Sequence, residues 1–323
     1  MTRYIVDRIV QSLAVLLVMS FVIYGLIGLM PGDPVDLMIS ADPKVTAEDA
    51  ARLKALYGLD RPLLTRYGNW LKAALGGEFG YSRLYAKPAL VALGPALVST
   101  TILVGISFVL SLLIALPAGV WVATRPDGPA DRTVNLACFA GVSMPPFWLA
   151  ILLILTFAVG LRWLPAGGVP TRSDVGLGEQ LRHMVLPVAT LTLLQIGGYL
   201  RFMRAAMIET LRQDYIRTAQ AKGAGPARVL LKHALRNALN PVVTVVALGF
   251  GGLFSGALIT ETMFAWPGMG KLILDSIMGN DFNLALVALL FATLLVLVGN
   301  LLADLAYAWL DPRVSFTERE GGP

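Results

Sequence analysis

The sequence predicts an all-α integral membrane protein with six transmembrane helices and both termini in the cytoplasm. It also predicts a helical external loop after the first span and a helical cytoplasmic loop between the fourth and fifth. Three observations lead there. Of 323 residues, 56% are hydrophobic and only 15% charged, against about 25% charged in soluble domains. Charge-free stretches run over 9–32, 88–124, 133–161, 183–200, 237–260 and 282–303, and a spanning helix needs roughly 20 apolar residues. Lys and Arg crowd the short loops of one side, which the positive-inside rule assigns to the cytoplasm. A soluble enzyme and a disordered scaffold are excluded, and a single cysteine, Cys138, excludes a disulfide-stapled module.

The first stretch follows Arg3 and Arg8 like a signal peptide, but its apolar run is too long and no small-x-small cleavage site ends it. It reads as a retained span within a segment 1–32. The external loop, 33–87, carries eight bases against seven acids. Near the length of about 60 residues, such a loop crosses the membrane regardless of charge. Thr46-Ala-Glu-Asp49 resembles a capping box and opens a helix to about Tyr57. Arg61-Pro62 starts a second helix that Gly76-Gly77 stops. Leu63, Leu64, Tyr67, Trp70 and Leu71 give that helix an apolar stripe, fit for the membrane surface or a neighbouring element. A five-span core, 88–311, and a cytoplasmic tail, 312–323, complete the organisation. Met144-Pro145-Pro146 interrupts the third span and Asn240-Pro241 opens the fifth. Trp121, Trp163, Trp266 and Trp309 fall near span ends, as interfacial aromatics do.

No phosphate-cradling GxxxxGK[ST] loop is present: Gly270-Lys271 is followed by Leu272. The span interiors hold no ionisable relay, since Glu261 and Asp304 sit at predicted ends, so an ion-driven carrier is disfavoured. Two histidines, His183 and His233, are too few for a histidine metal site. Gly249, Gly252, Ser255 and Gly256 leave one face of the fifth span nearly bare. That face serves tight helix packing or lines a pathway, and packing is the commoner use of such small residues.

The segment 201–236 has eight basic residues against Glu209 and Asp214. It therefore contributes more than the whole net charge of +5, and nucleic acid is not needed to explain the basicity. A helix is expected from Arg201 to about Lys222, then a turn at Gly223, Gly225 and Pro226. A second amphipathic helix follows towards Leu239, with Val229, Leu230, Ala234, Leu235 and Ala238 on its apolar face. Small side chains at Thr218-Ala219-Gln220-Ala221 suit a socket on a soluble partner.

Three blocks carry a resemblance. Asp214-Tyr-Ile-Arg-Thr-Ala-Gln-Ala-Lys-Gly223, continued by Val229 to Pro241, resembles the cytoplasmic loop of dipeptide/oligopeptide/nickel ABC importer permeases. Pro31-Gly32-Asp33-Pro34 with Gly58 to Leu63 resembles the start of that family's outer region, and Glu261 to Gly270 its segment after the fifth span. The match runs from the N-terminus to Asp311-Pro-Arg313. Of the superfamily's general Glu-Ala-Ala…Gly…Ile-x-Leu-Pro pattern only Ala219, Gly223 and Leu235 survive, a departure typical of this branch. No specific glutamate contact transfers to Arg217.

The resemblance implies a type I importer fold and a permease subunit that is not itself an enzyme. Its implied partners are a homologous second permease, two cytoplasmic ABC ATPases that bind ATP and Mg, an external solute-binding protein and the lipid bilayer. No cofactor belongs to this chain. Asp214, Tyr215, Arg217, Thr218, Ala219, Lys222 and Gly223 would form the ATPase-coupling helix, supported by His233, Arg236, Asn237 and Pro241. The solute stays open among dipeptides, oligopeptides, nickel complexes and glutathione-like molecules. A receptor recruiting a cytoplasmic partner and a self-gated channel remain as readings of another class.

Overall fold

The computed structural model describes residues 2–29, 61–170 and 176–310, without the side chains of 2–4, 247–248, 250–256 and 306–310. The blocks at 31–34 and 311–313 and the helix expected from Thr46 lie outside the described residues, as does the first half of the Gly58–Leu63 block. The elements are α1 (Thr2–Ile27), α2 (Leu63–Leu75), β1 (Tyr81–Ser82), β2 (Lys87–Pro88), α3 (Ala89–Ala123) and α4 (Pro129–Ser143). Then come α5 (Pro146–Leu153), α6 (Leu177–Leu211), α7 (Asp214–Ala221), α8 (Leu235–Met263), α9 (Met269–Met278) and α10 (Phe282–Leu310). A π-helical stretch, Ile154–Gly160, extends α5, and another, Val229–Ala234, leads into α8.

Four helices among the described residues are long and apolar enough to cross a membrane: Ile5–Ile27, Ala89–Ala123, Leu177–Leu211 and Phe282–Leu305. The pair Pro129–Ser143 and Pro146–Gly160, bent by 106°, makes a fifth if it is one span. The bend sits at the Met144-Pro145-Pro146 interruption. Met144, preceding a proline, is extended at ψ 128°, and neither proline has an N–H for the helix ladder. The charge-free stretch 183–200 is only the middle of a 35-residue helix. Its flanking Arg182 and Arg201 are helical, so absence of charge underestimated its length. Pro241 lies inside α8 rather than ahead of it.

The chain divides into two compact units, Met1–Arg8 with Thr100–Trp266 and Leu295–Pro323, and Ile9–Ser99 with Pro267–Leu294. In the first unit α6 is the central helix. Two glycine contacts let neighbours approach its backbone closely. A Cβ on Gly197 would stand 2.8 Å from the Cys138 carbonyl oxygen of α4, and one on Gly119 of α3 would stand 2.9 Å from the Leu200 carbonyl oxygen. Small residues are the means by which helices pack where no hydrophobic effect drives them together.

In the second unit the stripe on α2 meets α1. Tyr67 packs edge-on against Phe21 with ring centroids 5.1 Å apart, and Trp70 lies 5.7 Å from the Tyr24 ring. The Ser20 and Tyr67 hydroxyls share a 2.7 Å hydrogen bond. Of the two expectations for this stripe, a neighbouring element is the outcome for Tyr67 and Trp70, while Leu64 is exposed. Ile23 and Ile27 of α1 join Ala285, Leu286 and Leu290 of α10 in a buried cluster.

Candidate functional site

The expected single helix from Arg201 to Lys222 is two helices. Good helix formers alone do not require a stop, but the chain leaves α6 at Arg212 and Gln213 turns extended at ψ 148°. What decides the break is packing. Ile216, 1% exposed, enters a cluster with Met203, Met207, Ala123, Val229, Ala234, Ala238 and Val242. Burying one isoleucine is worth about 1.5–3 kcal/mol, and continuing α6 straight would forfeit it.

The other side chains of α7 face outward. Asp214, Tyr215, Arg217 and Thr218 are exposed, Ala219 is half-buried, and Lys222 and Gly223 are exposed. The Arg217–Asp214 pair, 3.4 Å apart with both partners largely exposed, is a solvated contact of little energetic weight. The Thr218 hydroxyl donates to the Asp214 carbonyl at 3.0 Å. At the far end Gly223 adopts φ +81°, while the Ala224 N–H returns to the Ala219 carbonyl at 3.1 Å. This left-handed turn ends the helix as the sequence predicts.

The second helix begins at Pro226 as expected but does not stop near Leu239. It runs through the π-helical stretch straight into α8. Its expected apolar face is the buried one: Val229, Ala234 and Ala238 are 4%, 0% and 1% exposed. His233 is half-buried and Arg236, Asn237 and Pro241 are exposed. Asn237 donates to the His233 carbonyl at 2.8 Å, tightening that turn. A cavity of about 350 Å³ opens beside α7, lined by Thr124, Leu211, Gln220, Ala224, Pro226, Ala227, Val229 and Leu230.

Of the bare face on α8, Gly249 is in a packing contact: its Cβ would stand 2.7 Å from the Tyr199 hydroxyl of α6. Gly252, Ser255 and Gly256 are on the same helix, with side-chain surroundings outside the described residues.

Two polar nodes escaped the sequence reading. Asp131, 2% exposed, takes a bidentate contact from Arg204, whose Nε and Nη2 each lie 2.5 Å from a carboxylate oxygen. The Asp127 N–H adds a bond of 2.8 Å and Asn135 Nδ2 one of 2.7 Å. The signal was an acid at the third residue of α4, from which a carboxylate reaches back to an amide just ahead of the helix. Asp281, also 2% exposed, receives Ser82 Oγ at 2.6 Å and the N–H groups of Leu84 and Leu284 at 3.0 and 3.2 Å. Only the Leu284 contact, an N-terminal cap of α10, was legible locally. Nearby, partial burial and then the charge of Asp275 push the Tyr85 phenol above its ordinary pKa. No group of three or more His, Cys, Asp or Glu among the described residues is placed to hold a metal ion.

Comparison with known proteins assigns the class. The family described as the binding-protein-dependent transport system inner membrane component matches residues 115–316, and its N-terminal counterpart matches 1–91. The chain belongs to this family: it is a multi-pass permease subunit, a transport component and not an enzyme.

Among relatives, it is 36% identical over 318 residues to the oligopeptide transport system permease protein AppB of Bacillus subtilis (strain 168), covering 98% of this chain and 100% of the relative. It is likewise 36% identical to a Sinorhizobium fredii protein named a probable peptide ABC transporter permease, y4tP, covering 97% and 99%. In fold it is similar to a chain of the MetNI methionine ABC transporter in an inward-facing conformation, with TM-score 0.56 and 20% identity over 69% of this chain and 96% of that one. The fold is that of an ABC importer permease.

Proposed function

We propose that this permease imports peptides delivered by an external solute-binding protein, driven by ATP hydrolysis in partner subunits. The observation that carries the substrate class is the end-to-end similarity to a permease named for oligopeptides. In this reading six spans cross the inner membrane with both termini cytoplasmic. The segment 33–87 meets the binding protein, and 88–311 forms the permease core. A homologous second permease completes the pathway, and two cytoplasmic ABC ATPases hold ATP and Mg. The bare face at Gly249, Gly252, Ser255 and Gly256 packs helices or borders that pathway.

The helix α7 is the coupling helix, seated in a groove of one ATPase through Asp214, Tyr215, Arg217, Thr218, Ala219, Lys222 and Gly223. His233, Arg236, Asn237 and Pro241 support it from the following helix. Supporting this role, α7 exposes Asp214, Tyr215, Arg217, Thr218, Gln220 and Ala221, leaves Ala219 half-buried, and is fastened by its one buried residue, Ile216. Closure of the ATPase pair would push α7, and the rigid helices behind it would tilt between inward- and outward-open states.

Reconstitution with the ATPases, second permease and binding protein tests the reading. Uptake of an alanine tripeptide is expected only with ATP and the binding protein. Placing Trp at Gly223 is expected to weaken ATPase co-purification and abolish uptake while membrane insertion persists. Unchanged uptake by that variant refutes the coupling role, and ATP-independent ion conductance by the chain alone refutes the importer reading.

A further inference from the structure

We infer that Asp131, acting through Arg204, is a positioning residue that makes the loop before α4 and the carrier of the coupling helix move as one body. The inference rests on the reading of α7 as the ATPase contact and goes beyond it to a part of the chain outside the cytoplasmic loop.

Geometry ties three pieces together at this node. Arg204 lies on α6 between Met203, 0% exposed, and Met207, 0% exposed, which pack in the cluster that anchors Ile216 of α7. Its guanidinium grips both oxygens of Asp131 in the first turn of α4. The same carboxylate holds the loop through the Asp127 N–H, at a residue whose φ is +64°. The other end of that loop, Thr124, lines the cavity beside α7 together with Gln220 and Ala224. The loop thus borders α7 at one end and is pinned to α7's supporting helix at the other.

The chemistry favours transmission over mere adhesion. A buried ion pair gains little stability over apolar packing of the same volume. A planar fork on a carboxylate fixes orientation as well as distance, which apolar contacts do not. Asn135, one turn along α4, occupies the same carboxylate at 2.7 Å, so the acid cannot swing away with Arg204 and leave α4 behind. A push on α7 carried into α6 therefore reaches the first turn of α4, and with it the start of the helix pair bent by 106°.

The test compares ATP hydrolysed per alanine tripeptide imported by the full complex in proteoliposomes. Asp131→Asn is expected to retain ATPase co-purification and basal hydrolysis while uptake falls about tenfold, the size of a typical loss of coupling. Arg204→Lys, which keeps the charge but loses the fork, is expected to raise the same ratio by a smaller factor. The exchanged pair Asp131→Arg with Arg204→Asp is expected to recover part of the uptake. An unchanged ratio in either single variant that assembles overturns the inference, as does a parallel fall of hydrolysis and uptake. If Asp131→Asn fails to assemble, Arg204→Lys decides. A failure of the underlying reading is distinct: the unmodified chain would not retain the ATPases, or Trp at Gly223 would leave uptake intact.

Discussion

Helix α7 and the hairpin Tyr81–Pro88 are both short elements that rest on a buried residue, yet the anchors are of opposite kinds. Helix α7 is held by Ile216 in an apolar cluster. The hairpin is held by Asp281, which collects Ser82 Oγ and the Leu84 N–H. Further bonds run from Arg83 to the Gly279 carbonyl and from Asn283 Nδ2 to the Tyr81 carbonyl at 3.1 Å. The two-stranded register Tyr81↔Pro88, Ser82↔Lys87 is thereby specified atom by atom. Apolar contacts are non-directional, so a helix resting on one can tilt without breaking it. Hydrogen bonds weaken steeply with angle, so the hairpin has one position. The coupling role proposed above for α7 would call for an anchor of the first kind.

Each anchor can be removed separately. Ile216→Ala has the largest expected effect, about 3 kcal/mol of local stability from lost burial and the cavity left behind. Hydrogen exchange should speed up through 214–223 while 81–88 stays protected. Next, Asp281→Asn should cost about 2 kcal/mol, because a neutral amide cannot replace a charge-assisted acceptor of three donors. Exchange should then rise in the hairpin and first turn of α10 with α7 untouched. A uniform response to either variant would erase the distinction between the two anchors.

A smaller effect is expected at Gly223. No atom lies within 4 Å of a would-be Cβ there, so Gly223→Ala acts only through its left-handed backbone, at about 1 kcal/mol. Exchange at the end of α7 would report it, and a loss as large as that of Ile216→Ala would reveal a contact the geometry does not contain. Least of all, Arg217→Ala should leave thermal stability unchanged, because its partner Asp214 is open to solvent. A measurable shift in the melting temperature of the isolated chain would contradict that.

How far the sequence could be read depended on the range of the interaction. The turn at Gly223 and the stop at Gly76 are local: Gly77 and Gly223 both adopt positive φ, at +87° and +81°. The Pro145-Pro146 break was visible because two missing donors interrupt any helix. The break at Arg212–Gln213 was not, since no residue there opposes a helix and only Ile216 reaching its cluster requires it. The Thr100 hydroxyl donates to Glu261, a fully buried acid that the sequence placed merely at a span end. Such a pair, 161 residues apart in the chain, leaves no periodic trace.

By itself the sequence determined that the chain lives in lipid, where its helices start and stop at prolines and glycines, and which blocks mark the importer permease family. These follow from hydropathy and backbone chemistry, which act over a few residues. The tertiary structure alone decided that α6 is about twice the length of its charge-free stretch, that α7 is a separate element, and that Asp131 and Asp281 are buried polar fasteners, the one between α4 and α6 and the other between the hairpin and α10. Each of those depends on side chains from distant segments meeting in a low-dielectric interior, where a carboxylate must find its donors or not be buried at all.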